Sequence, residues 1–110
     1  VPYEDAKFVK NLFSFGVNLS KGEDNTIIVE GLWTNAPADK ACIKVGNEIV
    51  ECNSMPLSGD DIFKTRQLIK NEDVIEVKLV VKDKEDQRVV VLHKEMLFNW
   101  TRTFLKSFDR

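Results

Sequence analysis

Hydrophobic and polar positions alternate most regularly between Val74 and Lys82, where Ile75, Val77, Leu79 and Val81 face one way and Glu76, Lys78 and Lys82 the other. A period of two over that length predicts a half-buried strand. The charged turn Asp83-Lys84-Glu85-Asp86 follows, and Arg88 to Lys94 reads as the returning strand of a hairpin. A second hairpin is expected upstream. Val17 to Ser20 is its first strand, the cluster from Gly22 to Asn25 its turn, and the β-branched and aromatic run from Thr26 to Trp33 its second strand. Gly31, inside that run, marks a bulge or a close backbone approach. Glu48 to Cys52 reads as a further strand with Ile49 inward and Cys52 a candidate for the same face, ended by Asn53-Ser54. Met55-Pro56-Leu57 has room for a residue or two of strand.

Two stretches carry helix signals. Asn35 to Ala41 is short, with Asn35 or Ala36 at its cap and Pro37 in the first turn, where the missing N–H costs nothing. Ile62 to Lys70 follows Ser58-Gly59-Asp60-Asp61, acidic at its start and basic at its end, as the helix dipole favours. Ile62 and Ile69 share one face with Arg66 between them, and Phe63 and Leu68 are expected to widen the apolar stripe. From Leu97 to Arg110, Leu97, Trp100 or Thr101, Phe104 and Phe108 recur at helical spacing, with Arg102, Lys106 and Arg110 between them. That pattern predicts an amphipathic helix outside the main sheet. For Val1 to Leu12 a linker, a short helix and an edge strand all fit.

Composition narrows the function classes. A chain of 110 residues, 43% hydrophobic and 31% charged, suits one globular domain. A net charge of -2 with mixed signs offers no electrostatic footprint for nucleic acid. No apolar run reaches the roughly 20 residues of a membrane-spanning helix. The chain begins Val1-Pro2-Tyr3 without a signal segment, so a mature chain or a fragment is expected and the compartment is not legible. Cys42 and Cys52 make neither a disulfide framework nor a zinc motif and are expected as small buried side chains. No metal or cofactor is expected.

A catalytic centre is not expected within this stretch. The single histidine, His93, falls among apolar residues of the last strand, and no Gly-x-Ser-x-Gly or Asp-Thr-Gly motif occurs. Asp60 and Asp61 are adjacent and point apart on a helix, so they read as capping charge.

One stretch carries candidate binding chemistry. In Ser14-Phe15-Gly16-Val17, continued by Asn18-Leu19-Ser20, apolar residues flank a single glycine ahead of a strand. Glycine permits backbone conformations closed to other residues, and successive N–H groups in such a loop form a concave anion site. A peptide carboxylate capped by the loop, with the following strand pairing to that peptide, is the expected use.

The order of glycine loop, hairpin, short helix, strand, longer helix and hairpin resembles a PDZ domain. Ser14-Phe15-Gly16-Val17 is similar to that family's carboxylate-binding loop, and Asn35 to Ile49 to its "SPAxxAG(I/L)xxGDxI" segment. Cys42, Asn47 and Ser54 stand where the family has Gly, Asp and Gly, which puts local turn geometry in question; Cys42 in particular is not expected to adopt the left-handed conformation that glycine favours. The resemblance implies an α+β fold, a partly open and mostly antiparallel sheet or barrel capped by two helices. It divides the chain into an N-terminal extension (residues 1–11), a PDZ-like domain (12–97) and a C-terminal helix or tail (98–110). The last of these is expected to pack on the domain or belong to the next element rather than to contact a membrane.

The resemblance also implies a site. The N–H groups of Phe15, Gly16 and Val17 would meet a carboxylate, Asn18 and Leu19 would pair with the peptide, and Phe15, Val17 and Ile69 would form a pocket for its last side chain, with Leu19 at the floor. Arg66 and Ile62 would meet side chains further back. Lys10 is either an aid to the carboxylate or a surface lysine, and Ile62 and Ile69 either groove lining or core. The closing hairpin is similar to that of the circularly permuted, bacterial PDZ type, which is often appended to serine, tail-processing or retropepsin-like aspartic proteases. That likeness implies a non-catalytic module for peptide or protein C-termini, or for a segment of its own parent chain, with a lean towards the bacterial envelope. Part of a peptidase whose catalytic domain lies outside this chain, and a scaffold with a self-occupied groove, are the alternatives.

Overall fold

The computed structural model describes residues 13–96 and 102–104. The strands are β1 (Phe13–Ser14), β2 (Val17–Lys21), β3 (Ile27–Trp33), β4 (Glu48–Cys52), β5 (Met55–Pro56), β6 (Glu76–Asp83), β7 (Asp86–His93), β8 (Glu95–Met96) and β9 (Arg102–Phe104); the helices are α1 (Pro37–Lys40) and α2 (Ile62–Lys70). A seven-stranded sheet runs β2-β3-β4-β6-β7, with β5 added on β4 and β9 on β3, while β1 and β8 form a separate pair. Every pairing is antiparallel. This is the mostly antiparallel α+β architecture expected from the sequence.

The alternation in β6 is borne out over its length: Val77, Leu79 and Val81 are each 1% exposed, on the face that also buries Ile27, Val29, Ile43 and Ile49. Ile75 departs from it. It lies just before the first residue of β6 and is 57% exposed. In β4 both Ile49 and Cys52 point inward. A spacing of three contradicts a strict period of two, and the ladder to β6 accommodates it with a register shift between Ile49 and Glu51. The bulge expected near Gly31 lies beside it, since Asn18 pairs with Gly31 and Leu19 with Val29, leaving Glu30 as the extra residue.

The helix signals were legible, with one exception. Ser58 and Asp61 form a capping box, the Asp61 carboxylate accepting the Ser58 N–H at 2.9 Å. Ile69 and Thr65 are buried and Leu68 packs on the core, but Phe63 turns to solvent at 68% exposure, so the apolar stripe of α2 is narrower than expected.

Cys42 corrects the expectation for the end of α1. It adopts the left-handed conformation, φ +66°, despite its Cβ. Its N–H donates to the Asp39 carbonyl at 2.9 Å and that of Ile43 to the Ala38 carbonyl at 3.1 Å, the bond pair of a Schellman cap. Ile43 and Ala38, which this turn brings together, are both fully buried. Their burial and the two hydrogen bonds offset a conformational cost of about 1–2 kcal/mol. The same turn leaves the Cys42 side chain outside, so the expectation of two buried cysteines holds for Cys52 alone.

The C-terminal expectation also changes. Arg102–Phe104 is a strand, pairing with Gly31, Leu32 and Trp33, rather than part of a helix. β4 meets β3 only at Ile28, so the later half of β3 offers unpaired backbone groups, and satisfying them outweighs a helical spacing of aromatics. Trp100 and Phe108 lie outside the described residues, as does Val1 to Leu12.

Two outcomes are expected. Ile49→Ala removes a 1%-exposed side chain and lowers stability by about 3 kcal/mol, read as a shifted urea midpoint at unchanged slope. In an Ellman titration of the native protein, exposed Cys42 reacts at once, whereas Cys52, whose thiol burial pushes above its ordinary pKa, reacts only when denaturant is added.

Candidate functional site

The site is built on Ser14 to Val17, between β1 and β2. Gly16 has φ +74°, and a Cβ there would collide with that of Ala36, so the position requires glycine for conformation and space alike. The two peptide planes around it are pinned by their oxygens. The Phe15 carbonyl accepts the Ala38 N–H in α1 at 3.1 Å, and the Gly16 carbonyl accepts the Trp33 N–H of β3 at 3.1 Å. A trans peptide sets its N–H opposite its carbonyl. Anchoring both oxygens on the β3–α1 side therefore turns the N–H groups of Gly16 and Val17 together to the other side. Two successive N–H groups aimed one way form a small anion nest. The Gly16 N–H donates to the Ser14 Oγ at 2.9 Å, so a hydroxyl oxygen of the loop itself already sits at one donor.

Phe15, Val17 and Ile69 are brought together, as expected, on the wall of a cavity of about 640 Å³ that opens beside the nest. Phe15 is 1% exposed and Val17 and Ile69 are 8% exposed, so the apolar wall is continuous with the core, and lining and packing are one role for these residues. Asn18 lines the same cavity. Leu19, expected at its floor, lies instead along a smaller adjoining cavity of about 140 Å³ with Arg66. Ile62 packs half-buried against the core and lines neither cavity. Lys10 lies outside the described residues.

Sequence reasoning missed three charged residues on the larger cavity: Lys70, Glu72 and Lys94. Lys94 follows β7 and reaches the loop only because β8 pairs with β1. Its Nζ donates to the Asn71 carbonyl at 2.8 Å and stands 5.3 Å from the centre of the Phe15 ring. Desolvation pulls its pKa below the usual lysine value, with the Glu72 carboxylate acting the other way. Lys94 thus adds a cation, and Glu72 an anion, to the rim of the cavity that opens beside the nest. No spacing rule links Lys94 to Gly16. The signal would have been the strand pairing alone.

The outer edge of β2 completes the groove. β2 is the end strand of its sheet, and α2 packs alongside it. The Arg66 Nε crosses that gap and donates to the Leu19 carbonyl at 2.9 Å. His93 lies well away in role: an exposed residue of β7 with Nδ1 3.8 Å from the Glu76 carboxylate.

No protein-family model matches the chain. Among curated proteins, mouse syntenin-2 is 24% identical over 72 residues, 66% of this chain and 25% of that protein, so the chain spans about a quarter of the relative it matches. Among solved structures, the photosystem II D1 C-terminal processing protease superposes with a TM-score of 0.68 at 19% identity, covering 78% of this chain and 24% of that one. The PDZ domain of HtrA3, bound to a phage-derived ligand (FGRWV), superposes with a TM-score of 0.62 at 19% identity, covering 87% of this chain and 91% of that one. The fold is that of a PDZ domain.

Gly16→Ala forces a Cβ into a left-handed residue and against Ala36. It is expected to cost about 2 kcal/mol or more, measured by chemical denaturation against wild type.

Proposed function

We propose that this chain is a non-catalytic PDZ module that binds the C-terminus of a peptide or protein, or an extended segment, as a strand added along β2. The observation that carries the reading is the pair of carbonyls, Phe15 and Gly16, anchored so that two successive N–H groups face the end of an edge groove. A ligand strand gains main-chain hydrogen bonds from the outward groups of Val17 and Leu19, while its last side chain enters the wall formed by Phe15, Val17 and Ile69. Its terminal carboxylate replaces the Ser14 hydroxyl at Gly16 and lies near Lys94. The HtrA3 domain, bound to a peptide ligand on a comparable fold, supports this use.

The module serves within a larger protein, with a protease as the favoured parent. The likeness to a segment amounting to 24% of a processing protease supports that role, and the catalytic part then lies outside this chain. The pairing of β8 with β1 supports the circularly permuted arrangement, since it returns the last hairpin beside the strand that enters the glycine loop. A bacterial envelope setting follows from that family likeness alone.

The test is a display selection of random C-terminal octapeptides on the 110-residue chain, followed by titration of selected sequences as free acids and as amides. Binding of micromolar to millimolar strength is expected, with amidation weakening it by about tenfold or more through loss of charge-assisted hydrogen bonds. Equal binding of acid and amide would overturn the proposal.

A further inference from the structure

Arg66 places a guanidinium on one of the two outward backbone acceptors of β2 that an added strand uses. The Gly16 carbonyl is committed to β3 through Trp33, and directions alternate along an extended chain, so Val17 and Leu19 turn their N–H and C=O groups outward. The contact from Arg66 to the Leu19 oxygen confirms that direction. A ligand running antiparallel to β2 and ending at the glycine loop therefore sets its last residue beside Val17. Its third-from-last residue falls opposite Leu19.

Paired residues project to the same face of a sheet. The Leu19 side chain lies in the core with Ile69, on the α2 side, so the ligand side chain opposite Leu19 rises along α2 towards Arg66. Arg66 is exposed, and only its Nε is engaged, leaving its other N–H groups with no carboxylate partner among the described residues. Lys70, one helical turn on, lines the same small cavity. Glu30, the bulge residue of β3, lines it too, and makes no ion pair with Arg66 among the described residues.

We propose that Arg66 is the specificity-determining residue of the groove and selects ligands whose third-from-last residue is glutamate or aspartate. This deepens the peptide-binding reading above and rests on it. A strand pairing with Leu19 requires the guanidinium to share or leave that carbonyl. A neutral side chain gives it nothing in exchange and a lysine repels it. A carboxylate takes it in two parallel N–H···O bonds, the geometry a guanidinium fits best.

The experiment is the selection of C-terminal octapeptides repeated on wild type, Arg66→Gln and Arg66→Glu, with fluorescence-polarisation titration of peptides ending glutamate–alanine–valine, glutamine–alanine–valine and lysine–alanine–valine. Arg66 lies at the surface, so both variants are expected to keep the wild-type urea midpoint within error. Wild type is expected to enrich acidic residues at the third-from-last position and to bind the glutamate peptide about tenfold more tightly than the glutamine peptide. Arg66→Gln removes the difference and Arg66→Glu reverses it in favour of lysine. Carboxylate-dependent selection with no acidic enrichment, or a preference unchanged in Arg66→Gln, overturns the role of Arg66 and leaves the groove standing. Failure to select any carboxylate-dependent peptide overturns both.

Discussion

Two hydrogen bonds from the scaffold to the Phe15 and Gly16 carbonyls hold the glycine loop of this molecule in place. One comes from α1 and the other from β3, so the loop is correct only when helix, hairpin and glycine are all in place. The bonds fix peptide planes rather than side chains. The N–H nest is therefore a by-product of satisfying two buried carbonyls, and it persists whether or not an anion is present. Gly16 is the one residue type that lets both planes be fixed this way, because its left-handed φ and the nearness of Ala36 each exclude a Cβ.

The scaffold supplies those anchors at some conformational cost. Ala38, which donates to Phe15, sits in a helix of a single turn, too short to be stable alone. Pro37 starts it, the left-handed Cys42 closes it, and the burial of Ala38 and Ile43 holds both ends against the core. Asn47 contributes nearby: its buried side-chain oxygen accepts the Lys44 N–H at 2.9 Å and braces the turn that leads into β4. Hydrophobic burial behind the loop thus becomes positional order in front of it.

Along the glycine loop and the outer edge of β2 the molecule meets backbone groups with its own polar side chains. Ser14 offers an oxygen to the Gly16 N–H, and Arg66 offers a donor to the Leu19 carbonyl. Both contacts keep the edge groups of β2 satisfied and discourage indiscriminate strand pairing, a standing hazard for an exposed edge.

Local pattern determined much of this protein. The alternation from Val77 to Val81, the capping signals around Pro37 and Ser58, and the glycine between Phe15 and Val17 are properties of a few neighbouring residues, and each produced the element it implied. The apolar cavity wall of Phe15, Val17 and Ile69 followed from the order of those elements. Tertiary structure decided where local preference was weak or outweighed. Arg102–Phe104 became a strand because β3 had an edge to satisfy, and Cys42 went left-handed because Ala38 and Ile43 had to meet. Lys94 reached the loop because β8 returned to β1, and Leu19 lines the smaller cavity rather than the larger. These outcomes depend on contacts between segments far apart in the chain, whose free energies exceed any single residue's preference and leave no mark in its immediate neighbours.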